Sequence, residues 1–106
     1  MRKGIVLGCL LLALAGCAQK KPQTITIAEQ YGTAYAPIAV MRELDLLKEE
    51  LPSSVNVEWV KLANTAAIRE AMLAGKAHIA CMAIPPFLIG RDAGMEWRIC
   101  SGVSRV

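Results

Sequence analysis

His78-Ile79-Ala80-Cys81-Met82-Ala83-Ile84 is the stretch whose reading decides the fold. After the histidine it is apolar without a break, between Gly75 on one side and Pro85-Pro86 on the other. A run of strand length with no polar alternation predicts a strand covered on both faces, the pattern of a parallel sheet. Upstream, Ile68, Ala71 and Met72 form the inner face of a predicted helix, capped by Asn64 or Thr65 and closed by Gly75. Before it, Val55, Val57 and Trp59 alternate with Asn56 and Glu58, giving a strand. Pro37 suits the first turn of another helix, with Ile38, Met41, Leu44, Leu47 and Leu51 inward and Arg42, Glu43, Lys48 and Glu49 outward. Pro52 ends that helix.

At the head of this series, residues 24–28 alternate as a strand with Ile25 and Ile27 on one face, and residues 30–36 read as a loop. Downstream, Pro85-Pro86 breaks the apolar run, residues 87–92 read as a short helix, and residues 97–103 as a last strand. The order βαβαβαβ predicts an α/β fold, a parallel sheet with flanking helices and right-handed crossovers. Expected buried positions include Ile25, Ile27, Val57, Ile79, Cys81 and Ile99, with Trp59 and Trp97 in the core.

Ligands of such sheets bind in the crevice at the carboxyl ends of the strands. Residues 29–36, 63–65 and 84–87 lie there, each leading into a helix N-terminus that favours an anionic group. None of these loops contains Lys or Arg, so an oxyanion would be held by amides and by the hydroxyls of Thr33, Tyr35 and Thr65. For Tyr31 and Tyr35 packing of the loop is an equal alternative, and for Thr33 so is helix capping. Glu29 is expected to bond local backbone N–H groups, with an ammonium group of a zwitterionic ligand as the alternative partner, and the lone His78 to be structural.

The N-terminus carries a separate message. Arg2 and Lys3 precede an apolar run from Ile5 to Ala15, too short for a stable membrane span and of the length of an export signal. Leu14-Ala15-Gly16-Cys17 resembles the bacterial lipobox, which implies a signal over residues 1–16, lipidation at Cys17 and a tether over residues 17–23. Such a chain is anchored to a membrane face through lipid and does not span it. Loss of Arg2 and Lys3 lowers the basic residues from 12 to 10 against 9 acidic ones, and the net charge from +3 to about +1. No basic stripe remains for a nucleic-acid partner. Of the four cysteines, Cys81 and Cys100 stay in the domain; two buried thiols are the favoured reading and a disulfide the alternative. With one histidine and no Cys-x-x-Cys, neither a metal site nor any other cofactor is expected.

The run Ile27-Ala28-Glu29-Gln30-Tyr31-Gly32, followed by Ala34-Tyr35-Ala36-Pro37, resembles the opening of bacterial extracytoplasmic solute-binding proteins of the nitrate/sulfonate/taurine type. So do Arg69-Glu70-Ala71-Met72-Leu73-Ala74-Gly75 before His78-Ile79-Ala80, and Ile84-Pro85-Pro86 after the third strand. The resemblance implies the first part of lobe 1 of a type II periplasmic-binding-protein fold over residues 24–106, with hinge strands and second lobe absent from this sequence. It departs from the family at His78, usually Asp, and at Ala83, usually Gly. The implied function is delivery of a small anionic or zwitterionic solute to the permease subunits of an ABC importer. Gln30, Tyr31, Thr33, Tyr35, Thr65 and Ile84 are the implied ligand-binding residues. The alternatives are a fragment of a pyrimidine-precursor enzyme of related fold and a small lipoprotein without a solute. No nucleophile is paired with a base, so no catalytic residue is assigned.

Overall fold

The computed structural model describes residues 23–104. The signal over residues 1–16, Cys17 and nearly all of the tether lie outside the described residues. Three parallel strands form one sheet in the order β2-β1-β3: β1 is Gln23–Glu29, β2 Val55–Lys61 and β3 Ile79–Ala80. Helices α1 (Ala36–Glu43) and α2 (Leu46–Glu50) follow β1, α3 (Thr65–Leu73) follows β2, and α4 (Ile84–Asp92) follows β3. The chain is therefore α/β, a small three-stranded parallel sheet with flanking helices. Among the described residues no helix is long and apolar enough to cross a membrane.

The register explains the two faces. Ala28 stands opposite Val60 on one side and Ala80 on the other, so these three side chains share a face. Ile68, Ala71 and Met72 of α3 pack against it together with Ala77, and Ile68 and Ala28 are fully buried. On the opposite face Ile27 is buried opposite Trp59 and Ile79. There α1 lies against the end of β1, because its Arg42 reaches Glu29, and Ile38 is buried one turn earlier on the same helix side.

Both ends of α3 follow from single residues. The Asn64 side chain accepts the Ala67 N–H, and the helix begins at Thr65 as its capping residues predict. At the other end Lys76 N–H bonds the Ala71 carbonyl and Gly75 N–H the Met72 carbonyl. These are the paired bonds of a Schellman motif, with Gly75 at φ +68°, where a side chain would be strained.

Several expectations are corrected. The helix over residues 37–51 is two pieces, because Asp45 adopts a left-handed conformation (φ 53°) that stops α1. The apolar run supplies only two residues of ladder, and Ile79 is 40% exposed because β3 is the sheet edge and no helix covers it there. Helix α4 begins at Ile84, with Pro85 and Pro86 inside its first turn, where missing N–H groups cost nothing. Residues 97–103 form no strand: no ladder extends beyond β3, and Ile99 is exposed. Trp97, half-buried, packs instead on Gly90 of α4, where an added Cβ would meet its ring at 2.2 Å. Ile25, Val57 and Cys81 are half-buried, not buried.

Candidate functional site

The carboxyl ends of the three strands converge on Gln30, the first residue after β1, the central strand. Its Nε2 donates to Thr65 Oγ1 at 3.2 Å and to the Cys81 carbonyl at 3.2 Å. One amide thus ties the loop before α3 to the segment after β3. Thr65 Oγ1 lies 3.5 Å from Gln30 Oε1, within reach of a return bond. Central strands have loops on both flanks, and a side chain with donors and an acceptor is suited to bridge them.

The structure brings Gln30 and Thr65 into contact, but among the described residues neither side chain bonds to Tyr31, Thr33, Tyr35 or Ile84, and neither groove described below is lined by any of the six. Tyr31 is exposed and faces the Lys61 ammonium, 4.6 Å from its ring centroid. Thr33 and Tyr35 bound a single 3-10 turn that leads into α1, with the Tyr35 N–H bonded to the Gly32 carbonyl. Thr33 is exposed and its side chain makes no cap bond, whereas Tyr35 is half-buried with its ring near Gly32. Ile84 opens α4 and is largely exposed. Two open grooves occur away from this edge, one against α4 and Trp97, the other between α2 and the start of β2.

Charge at this edge is richer than the loop sequences imply. Lys61, the last residue of β2, supplies a cation that lies outside the three loops and enters through tertiary placement. Glu29 is almost completely buried and pairs with Arg42, so neither its expected role with local N–H groups nor the outward orientation of Arg42 holds. Arg42 also forks onto Glu43 at 3.1 and 3.2 Å, which fixes the guanidinium between two carboxylates. With its carboxylate neutralised by an internal guanidinium, Glu29 has little left for an ammonium group of a solute.

The three helix N-termini are not equivalent as anion sites. Prolines 85 and 86 remove two N–H groups from the first turn of α4, and Pro37 removes one from α1. In α3 Asn64 occupies the Ala67 N–H, leaving those of Thr65 and Ala66 without intrahelical partners beside the Thr65 hydroxyl. The α3 start is the best donor cluster at the edge.

His78 and Cys81 complete the surroundings. His78 Nδ1 accepts the Thr26 backbone N–H at 3.0 Å while the His78 N–H donates to the Thr26 carbonyl at 2.9 Å. The imidazole acts as an extra rung of the β1–β3 ladder, the structural role expected of it. The Cys81 thiol is pushed up from its ordinary pKa, first by burial, then by the Glu29 carboxylate and by Cys100. It is therefore a poor nucleophile at neutral pH. No family model, curated protein or solved structure matches this chain.

Proposed function

We propose that this chain is the extracytoplasmic solute-binding component of an ABC importer, and that residues 24–106 belong to lobe 1 of a type II periplasmic-binding-protein fold. The observation that carries the reading is the Gln30 bridge at the carboxyl edge of a parallel sheet, joining two loops that resemble the family's solute contacts. In this reading Gln30 and Thr65 orient the solute, and the first-turn N–H groups of α3 take an anionic group. Tyr31, Thr33, Tyr35 and Ile84 form the surrounding wall. Lipid on Cys17 keeps the domain at the membrane face, within reach of the permease subunits. Against the enzyme alternative, the one histidine of the sequence is engaged with backbone and the Cys81 thiol is held protonated.

Binding is the deciding experiment. Isothermal titration with nitrate, taurine, alkanesulfonates and pyrimidine precursors should show at most weak heats for the 106-residue chain. One sheet edge supplies about half of an enclosing set of contacts, while the translational cost of association does not fall in proportion. A version carrying a second lobe should bind one of these solutes, and Gln30→Ala in that version should weaken it by about tenfold or more. Silence of the two-lobed version towards every solute would remove the transport reading. Membrane anchoring is tested separately: Cys17→Ala should move the protein from the membrane to the soluble fraction.

A further inference from the structure

His78 immediately precedes β3 and holds β1 through both its main chain and its ring. Its N–H donates to the Thr26 carbonyl at 2.9 Å, and the Thr26 N–H donates back to Nδ1 at 3.0 Å. An imidazole nitrogen thus serves where a strand would use a backbone carbonyl. Nδ1 accepts only while it carries no proton, so the bond requires the neutral ring with its hydrogen on Nε2. Thr26 lies on the central strand and is 7% exposed, so solvent does not readily replace the ring as acceptor. His78 itself is exposed, and protons reach its ring freely.

We infer that His78 is a pH-sensitive latch: in acid its ring takes a proton on Nδ1, the bond from the Thr26 N–H is lost, and β3 parts from β1. Histidine is the side chain whose charge ordinarily changes between about pH 5 and 8. A protonated Nδ1 sets N–H against N–H, so the ring must turn away and leave a buried donor unpaired. The charged and titratable groups on the elements around it are Glu29 on β1, Glu58 opposite Thr26 on β2, Arg69 and Glu70 on α3, and Lys76 and Cys81 on its own segment. Among the described residues none of them pairs with the imidazole, and Glu29 is taken by Arg42. No ion pair therefore holds the proton in the latched form. The sign follows from proton counting. The latched form binds none at Nδ1 and the open form binds one, so the latch is favoured at neutral pH and weakens as pH falls.

The rest of the hold on β3 is slight. Only Ile79 and Ala80 join the ladder, and no described strand lies on the outer side. Beyond them the Cys81 N–H bonds the Ala28 carbonyl at 3.0 Å, and the Cys81 carbonyl takes Gln30 Nε2. An edge this short opens as one piece, so release at Thr26 reaches the Gln30 bridge at the other end of β3. In the reading proposed above, acid thereby loosens one side of the solute site. The opening itself does not rest on that reading and is measured without any solute.

Native-state amide hydrogen exchange of the isotope-labelled full chain tests the latch. Protection factors, which remove the intrinsic pH dependence of exchange, are compared at about pH 7.5 and about pH 5.5. Thr26 and Cys81 should each lose protection by about tenfold in acid, the effect of one hydrogen bond to a buried donor, whereas Ile68 in α3 keeps its own. His78→Asn retains an acceptor on its side chain but does not titrate in this range, and should hold both protection factors level. Unchanged protection of Thr26, loss at Thr26 without loss at Cys81, or the same pH dependence in His78→Asn would each overturn the inference. Equal loss at Ile68 would overturn it too, because the opening would then be global. Should His78→Asn fail to fold, the imidazole nitrogen resonances of the unchanged chain decide. Protonation of Nδ1 should run in step with the loss at Thr26, and a ring still neutral when Thr26 has lost protection would refute the latch.

Discussion

Arg42 leaves the solvent side of α1 to reach a carboxylate that is 1% exposed, and that single pairing links the first helix to the end of the central strand. Removing the cation leaves an uncompensated buried charge. Arg42→Met should therefore cost about 2–3 kcal/mol, somewhat less than a fully buried pair because Arg42 itself is partly exposed. Adding Glu29→Gln should recover most of the loss; urea midpoints of the two variants check this. Cys81 carries a pH dependence of known sign. Its pKa is raised in the fold, so the protonated form stabilises the folded state below the ordinary thiol pKa, and the benefit fades as pH rises through the folded value. Under reducing conditions, the thermal midpoint should fall more between pH 7.5 and 9.5 (about one unit either side of the ordinary thiol pKa) than that of Cys81→Ala. Equal slopes would remove burial of the thiol as the cause. At this scale the strand alternation predicts Ile27 and the caps predict the start of α3. The Arg42–Glu29 pair is not legible, since charged residues outward on a helix is the default pattern and only the third dimension brings a buried carboxylate within its reach.

Helix α3 shows how far one element is written locally. Its cap and Schellman close use residues within or next to the helix, and both were readable before any tertiary contact was known. Asn64→Ala should cost about 1 kcal/mol while Asn64→Asp stays near neutral, read from denaturation midpoints. Helix α4 is the opposite case. Its double proline looks like a break in sequence, yet two prolines fit the first turn once the chain before them is extended at Ala83. Gly90→Ala sets two effects against each other: helix propensity gains up to about 1 kcal/mol, whereas overpacking costs about 1–3 kcal/mol. With the added Cβ placed 2.2 Å from the Trp97 ring, sterics should win. The returning segment should then detach, and trypsin should cleave after Arg98 faster than in the unchanged chain. The same element carries Ile84, Leu88 and Ile89 in exposed positions, a face that no described element covers.

For the whole molecule the apolar budget is lopsided. Among the described residues Ile27, Ala28, Ile38, Ile68 and Ala77 make up the buried hydrophobic set, whereas Leu88, Ile89, Ile99, Ile84 and Ile79 all stand exposed near the β3 edge and α4. A three-stranded sheet with so small a core is only marginally stable. The native chain should accordingly bind an apolar dye such as anilinonaphthalene sulfonate, and Leu88→Glu with Ile89→Lys should reduce that fluorescence without loss of helical circular dichroism. Undiminished fluorescence would place the exposed surface elsewhere. The α/β class, the parallel pairing of the first three strands and the start of α3 are legible in the amino-acid sequence, whereas the hydrogen bond from Gln30 to Thr65 is not. The legible features rest on periodicity, capping and strand-helix order, all of which act over a few residues or follow from chain connectivity. The Glu29–Arg42 pair, the cation of Lys61 over Tyr31, the short β3 and the return of Trp97 onto Gly90 emerge only in three dimensions. Each depends on which surfaces remain uncovered once the sheet has formed, and an apolar run is the same string of letters whether it lies in a ladder, at an edge or along a helix.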